Sequence, residues 1–240
     1  MNVRNTIFIG LMALGGTQTS CAQQNPYKTE DFRIKSTEVT HNADLGVTIW
    51  EIAVEGIAGN TVPEPFGQMD GAPVLGYVFP TSLKPMDVGF NQTDGILALA
   101  LTSHPDFDDT PLWDENGDSL FDNDGVVWHP HWVILVKDER ISGQLSVKQF
   151  MKTDKNITLP PTNPGMPMYM DSPGYPVITD ANTIKVVLPD YRINYKTTFS
   201  YDAVTAFLKV NTSNKGKPML GVYEVFSVAS GDLSLPYSVK

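Results

Sequence analysis

The sequence predicts an all-β protein: an antiparallel β-sandwich or barrel-like single domain with long functional loops. Three observations carry that expectation. Short apolar runs rich in Val, Ile, Tyr and Phe recur along the chain, punctuated by Gly, Pro, Asn and Asp. No long segment follows the 3.6-residue period of an amphipathic helix. The chain has 240 residues, 41% hydrophobic and 18% charged, which suits one core of sandwich or barrel size.

The first 22 residues stand apart. Arg4 is their only charge, residues 7–16 (IFIGLMALGG) are apolar, and TQTSCAQQ follows. A basic start, a short apolar segment and a small-residue exit describe a secretory signal, too short to remain as a membrane-spanning helix. Ser20 and Ala22 occupy the −3 and −1 positions for cleavage after Ala22. The rival reading makes Cys21 the lipidated first residue of a lipoprotein, although Gln18 stands where an aliphatic residue is expected. Lipidation of Cys21 is the one route to membrane association. Either way the expected address is outside the cytoplasm: secreted, at the bacterial cell surface or outer membrane, or in the periplasm. The domain then spans residues 23–240.

The strand candidates follow in order: VTIWEIAV (47–54), VLGYVF (74–79), GILALAL (95–101), VVWHPHWVILV (126–136), TIKVVL (183–188), VTAFLKV (204–210) and MLGVYEVFSV (219–228). ILALAL reads equally as a buried helical turn, because short apolar runs are ambiguous. Two long connections separate them. Residues 103–125 are acidic (SHPDFDDTPLWDENGDSLFDNDG), and residues 159–176 are proline-rich (LPPTNPGMPMYMDSPGYP). Loops of this length are commonly functional, and the first feeds directly into the HPH segment. From Gly231 onward a loose terminus is expected.

Charge narrows the partners. With the leader's single Arg removed, 27 acids face 16 Lys and Arg, a formal charge of −11. Such a surface repels nucleic acid and anionic lipid and attracts cations. There is no basic stripe and no nucleotide-binding glycine loop. The sole cysteine, Cys21, leaves no disulfide and no thiolate ligand in the fold.

The central question is why two of the four histidines lie in VVWHPHWV. Side chains two apart on a strand share a face, so His129 and His131 project together with Val127, Val133 and Leu135. Trp128 and Trp132 fall on the opposite face, beside Pro130. Because proline cannot donate to a sheet ladder, the segment is expected at an edge or bulge, where a ligand can approach. Two imidazoles on one face are a common first half of a zinc or copper site. His104, at the end of the 95–101 run, is the candidate third ligand; His41 lies in a polar lead-in.

Two further constellations suit cations. Met166, Met168 and Met170 present thioethers at alternate positions, a soft set compatible with copper and equally with packing over a core. Asp114, Asn116 and Asp118 match the first half of a calcium loop, with Asp122 and Asp124 available to complete the shell. Ser119 stands where an EF-hand has its sharp-turn glycine, and Gly125 where it has its bidentate Glu. A solvated acidic turn has the same composition. For catalysis the sequence offers no G-x-S-x-G elbow, no H-E-x-x-H and no cysteine nucleophile. An open three-histidine site is also a catalytic layout, but no substrate pocket can be read.

An exported β-protein with a WHPHW segment and an aspartate-rich loop resembles the copper-repressible, copper-binding surface proteins of methane-oxidising bacteria (CorA and MopE). That resemblance implies copper bound by two histidines and a tryptophan oxidised to kynurenine, with calcium bound separately, in the service of copper capture at the cell surface. In that family the modified Trp lies two residues from a ligating His, whereas Trp128 adjoins His129 and Trp132 adjoins His131. The residues carried over are therefore His129, His131 and His104 for copper, with Trp128 and Trp132 as modified or supporting residues. The competing expectations are a calcium-stiffened structural or adhesive surface module and a His-ligated metalloenzyme.

Overall fold

The computed structural model describes residues 25–105, 119, 126–150 and 172–240. The apolar runs become strands. In chain order they are β1 (Ile34–Asn42), β2 (Val47–Val54), β3 (Pro73–Pro80), β4 (Ile96–Ser103), β5 (His129–Lys137) and β6 (Leu145–Val147). There follow β7 (Val177–Asp180), β8 (Thr183–Pro189), β9 (Ser200–Tyr201), β10 (Val204–Val210), β11 (Leu220–Val228) and β12 (Tyr237–Ser238). Only single 3₁₀ turns interrupt them among the described residues, so ILALAL is strand and not helix.

Two large sheet systems form, beside a two-stranded β12-β9 ladder. One is a four-stranded antiparallel sheet in the order β1-β2-β8-β7. Its alternation is clean: Thr48, Trp50, Ile52 and Val54 of β2 and Ile184, Val186 and Leu188 of β8 point inward, while Glu51 and Lys185 pair across the outer face at 2.7 Å. The other is a closed six-stranded barrel in the order β10-β11-β6-β5-β4-β3. Its strands β3, β4, β5 and β10 are buried on both faces, which is why their sequences read as nearly unbroken apolar runs.

The pleat sorts those two faces. Leu75, Tyr77 and Phe79 of β3, Leu97, Leu99 and Leu101 of β4, and Trp132 and Ile134 of β5 join Trp50, Ile52, Ile184 and Val186 in the large core between barrel and sheet. The alternate residues, among them Val78, Ala98, Ala100, Val133, Leu135 and Val204, form a second cluster of small side chains that faces the barrel lumen. A six-stranded barrel has a narrow interior, and Ala and Val are what fit there.

Two expectations about the ends need adjustment. The polar lead-in holding His41 is a nine-residue strand, β1, paired with β2 throughout. The residues after Gly231 are not loose: β12 pairs with β9, Lys240 N donates to Val39 O at 3.0 Å, and His41 N donates to Lys240 O at 2.8 Å. Backbone pairing holds this terminus although its side chains are largely exposed.

Candidate metal centre

The site is built by register. β4 and β5 run antiparallel with Ala100 opposite His131 and Thr102 opposite His129. His104 follows directly after β4, so it reaches the same end of the barrel as the HPH segment. β6 covers β5 only from Leu135 to Lys137, leaving the stretch around Pro130 paired on the β4 side alone among the described residues. The proline therefore sits where no second ladder demands its missing N–H, as expected.

His104, His129 and His131 converge. Their rings are 2%, 2% and 6% exposed, and one nitrogen from each lies within 4.8 Å of the other two. His129 is central: its ring centroid is 4.8 Å from that of His104 and 4.8 Å from that of His131, which are 6.4 Å from each other. His104 Nε2 and His129 Nε2 are 3.0 Å apart. Nitrogens bound at about 2.0–2.1 Å to one tetrahedral or trigonal ion lie about 3.3–3.6 Å apart, a spacing that falls between the 3.0 Å of this pair and the 4.8 Å limit of the cluster. The cluster can hold a metal ion.

The tautomer of His129 is fixed by its neighbour. Its Nδ1 lies 2.6 Å from the Val127 carbonyl oxygen. That oxygen can only accept, so Nδ1 carries the proton and Nε2 presents its lone pair to the cluster. Metal-ligating histidines commonly use this arrangement, in which the outer nitrogen is tied to a carbonyl and the inner one is aimed. Ser103 Oγ donates to Val126 O at 2.7 Å, joining the two ends of the acidic connection next to the site.

The tryptophans hold β5 from behind, on the face opposite the imidazoles, as alternation predicts. Trp128 Nε1 donates to Gly59 O at 2.9 Å, and its ring meets Tyr77 edge-on at 4.8 Å. Gly59 has φ +76°, and a Cβ there would lie 2.8 Å from Thr179 and 3.1 Å from the Trp128 nitrogen, so only glycine allows this approach. The Tyr77 hydroxyl accepts from Gly59 N at 3.0 Å and donates to Asp31 O at 2.8 Å; burial raises its pKa well above the ordinary phenol value. Trp132 Nε1 donates to Tyr175 Oη at 3.2 Å, and its ring stands edge-on to Trp50 at 6.1 Å. Each aromatic pair adds about 0.5–1.5 kcal/mol beyond area burial, which stiffens the strand that aims His129 and His131.

Of the other sequence candidates, His41 lies on the four-stranded sheet, with Nε2 2.8 Å from Asp190 Oδ2, and takes no part in the cluster. Asp114, Asn116, Asp118, Asp122 and Asp124, Met166, Met168 and Met170, and Cys21 lie outside the described residues. Of residues 106–125 only Ser119 is described; its φ is +65°, in the left-handed region that a calcium-loop glycine occupies. Sequence reasoning did not single out Tyr77, Gly59 or Thr102. Nothing in one sequence marks a strand tyrosine or threonine as a neighbour of a distant histidine.

No protein-family model, curated protein or solved structure matches the chain.

Proposed function

We propose that this protein is an exported copper-binding protein that captures copper at the bacterial cell surface or in the periplasm. The observation carrying the reading is the donor set: three buried imidazoles, one with its tautomer set by a backbone carbonyl, in a group that among the described residues includes no carboxylate. Nitrogen-only donors suit copper and zinc and disfavour calcium and magnesium. Charge favours copper further. The self-energy of a buried ion grows with the square of its charge, so Cu(I) in a neutral cage carries about one quarter of the desolvation penalty of a divalent ion. The leader-like residues 1–22 and the resemblance to copper-capturing surface proteins agree with that assignment. Calcium in the acidic loop is part of the proposal, supported by alternate oxygen donors from Asp114 to Asp124 and the left-handed Ser119.

Copper titration of the wild type against His129→Ala and His131→Ala tests the site. Stoichiometric uptake by the wild type and loss in both variants is the expected result; equal uptake by all three overturns it. Intact mass with elemental analysis of the protein recovered from its host tests export, lipidation of Cys21 and oxidation of Trp128 or Trp132 in one sample.

A further inference from the structure

The barrel lumen contains a cavity of about 100 Å³, bounded by residues from all six barrel strands. Its wall is apolar: Val78, Ala100, Val133, Val147, Val204 and Val222 are typical. Leu233 and Leu235 of the C-terminal segment also line it, and the paired Ile96 and Leu135 mark the end away from the histidines. At the other end stands Thr102, opposite His129 in the β4–β5 ladder. Its hydroxyl is the exception in this wall. Thr102 is 7% exposed, and Oγ1 has no hydrogen-bond partner among the described residues.

Both features are unusual for an interior with no task. Cores are normally packed to the density of organic crystals, and large voids are few. A buried hydroxyl without a partner carries a desolvation penalty and calls for an explanation. A guest in the lumen removes both at once. Its hydrocarbon body fills the chamber and its single acceptor takes the Thr102 proton. An apolar cavity of this order stays dry and takes up molecules such as benzene or xenon.

We infer that the lumen is a binding chamber for a small, uncharged, mostly hydrocarbon molecule with one hydrogen-bond acceptor, held with that acceptor toward Thr102 and the histidine end. The size limit is about five or six heavy atoms, and charge is disfavoured because no ionisable side chain among the described residues lines the wall. The chamber does not depend on the metal reading. If an ion is held by His104, His129 and His131, the guest lies on the side of its open position, and that last step alone rests on the proposed function.

The test uses metal-free full-length protein and three probes: xenon, cyclopentane and tetrahydrofuran, the last two of similar size but differing by an ether oxygen. Saturable binding of one equivalent of xenon and cyclopentane, detected by NMR shifts of lumen methyl groups, is expected. Val133→Leu and Val147→Leu narrow the chamber and should weaken cyclopentane by at least tenfold, while folding is monitored by the same spectra. In Thr102→Val the ratio of tetrahydrofuran to cyclopentane affinity should fall several-fold relative to wild type. Absence of saturable xenon binding to the folded protein overturns the chamber. A tetrahydrofuran-to-cyclopentane ratio unchanged by Thr102→Val overturns the acceptor-directed orientation. Neither result bears on copper uptake, which the histidine variants test separately.

Discussion

Replacing His129 by alanine is the sharpest perturbation of the metal centre, because this ring is the hub of the cluster. Its centroid is 4.8 Å from both partners, and without it the remaining rings are 6.4 Å apart. Loss of a residue that merely supports a ligand lowers metal affinity about 10–100-fold, and loss of the central ligand should exceed 100-fold. The consequence for stability follows from mass action. At free copper 100 times the wild-type Kd, binding stabilises the fold by about 2.7 kcal/mol. For a chain of this size each kcal/mol moves Tm by about 2–4 °C, so the wild type should gain about 5–11 °C. A 100-fold weaker variant at the same copper concentration gains about 0.4 kcal/mol, or about 1 °C. The assay is thermal melting with and without copper under reducing conditions, with each variant referred to its own metal-free curve so that any folding defect cancels. His41→Ala, on the four-stranded sheet beside Asp190, should keep the full gain. A shift in His129→Ala equal to wild type refutes the reasoning.

Three other perturbations probe the frame. Asp138 is held down to about 2 by hydrogen bonds from the Arg140 guanidinium, at 2.7 Å to Oδ1 and 2.5 Å to Oδ2. A carboxylate with a depressed folded-state pKa stabilises above its unfolded value near 4 and loses that contribution as pH falls through about 2. Asp138→Asn should therefore be less stable than wild type at pH 6, with the gap closing on acidification, as measured by urea unfolding at several pH values. Tyr77→Phe removes the hydroxyl that serves Gly59 N and Asp31 O, and should cost about 1–3 kcal/mol in urea unfolding while loosening the Trp128 anchor. Deleting residues 237–240 removes the β12–β9 pairing and, beyond it, three backbone hydrogen bonds to Phe199, Val39 and His41, and should cost at least about 3 kcal/mol, visible as a lower urea midpoint.

Much of this protein was legible in its residues, and the gaps have physical causes. Residues 47–54 and 204–210 are bounded as read: the first alternates on the two-residue period over most of its length, and the second is an almost unbroken buried run. β1 escaped because only Val39 of its nine residues is buried, so an outer sheet strand carries almost no hydrophobic signal. The terminal pairing of β12 escaped because it spans two residues: Tyr237 and Val239 pack against the core, but two half-buried side chains leave no periodic signal. Barrel closure was not separable from a sandwich, since continuous apolar runs say that both faces are covered but not by what. At the metal centre, the shared face of His129 and His131 follows from the pleat alone. The arrival of His104 required the antiparallel pairing of β4 with β5, which the sequence suggests only through nearness in the chain. The lumen cavity left no trace, because Ala and Val line packed and unpacked interiors alike.

The three imidazoles of His104, His129 and His131 are proposed to share one copper ion. X-ray absorption at the copper edge of the singly loaded wild-type protein measures that directly. The predicted spectrum has a nitrogen-only first shell with the multiple scattering of three imidazole rings, reduced to two rings in His104→Ala. A first shell containing sulfur, from Met166, Met168 or Met170, or one unaltered by His104→Ala, would contradict it.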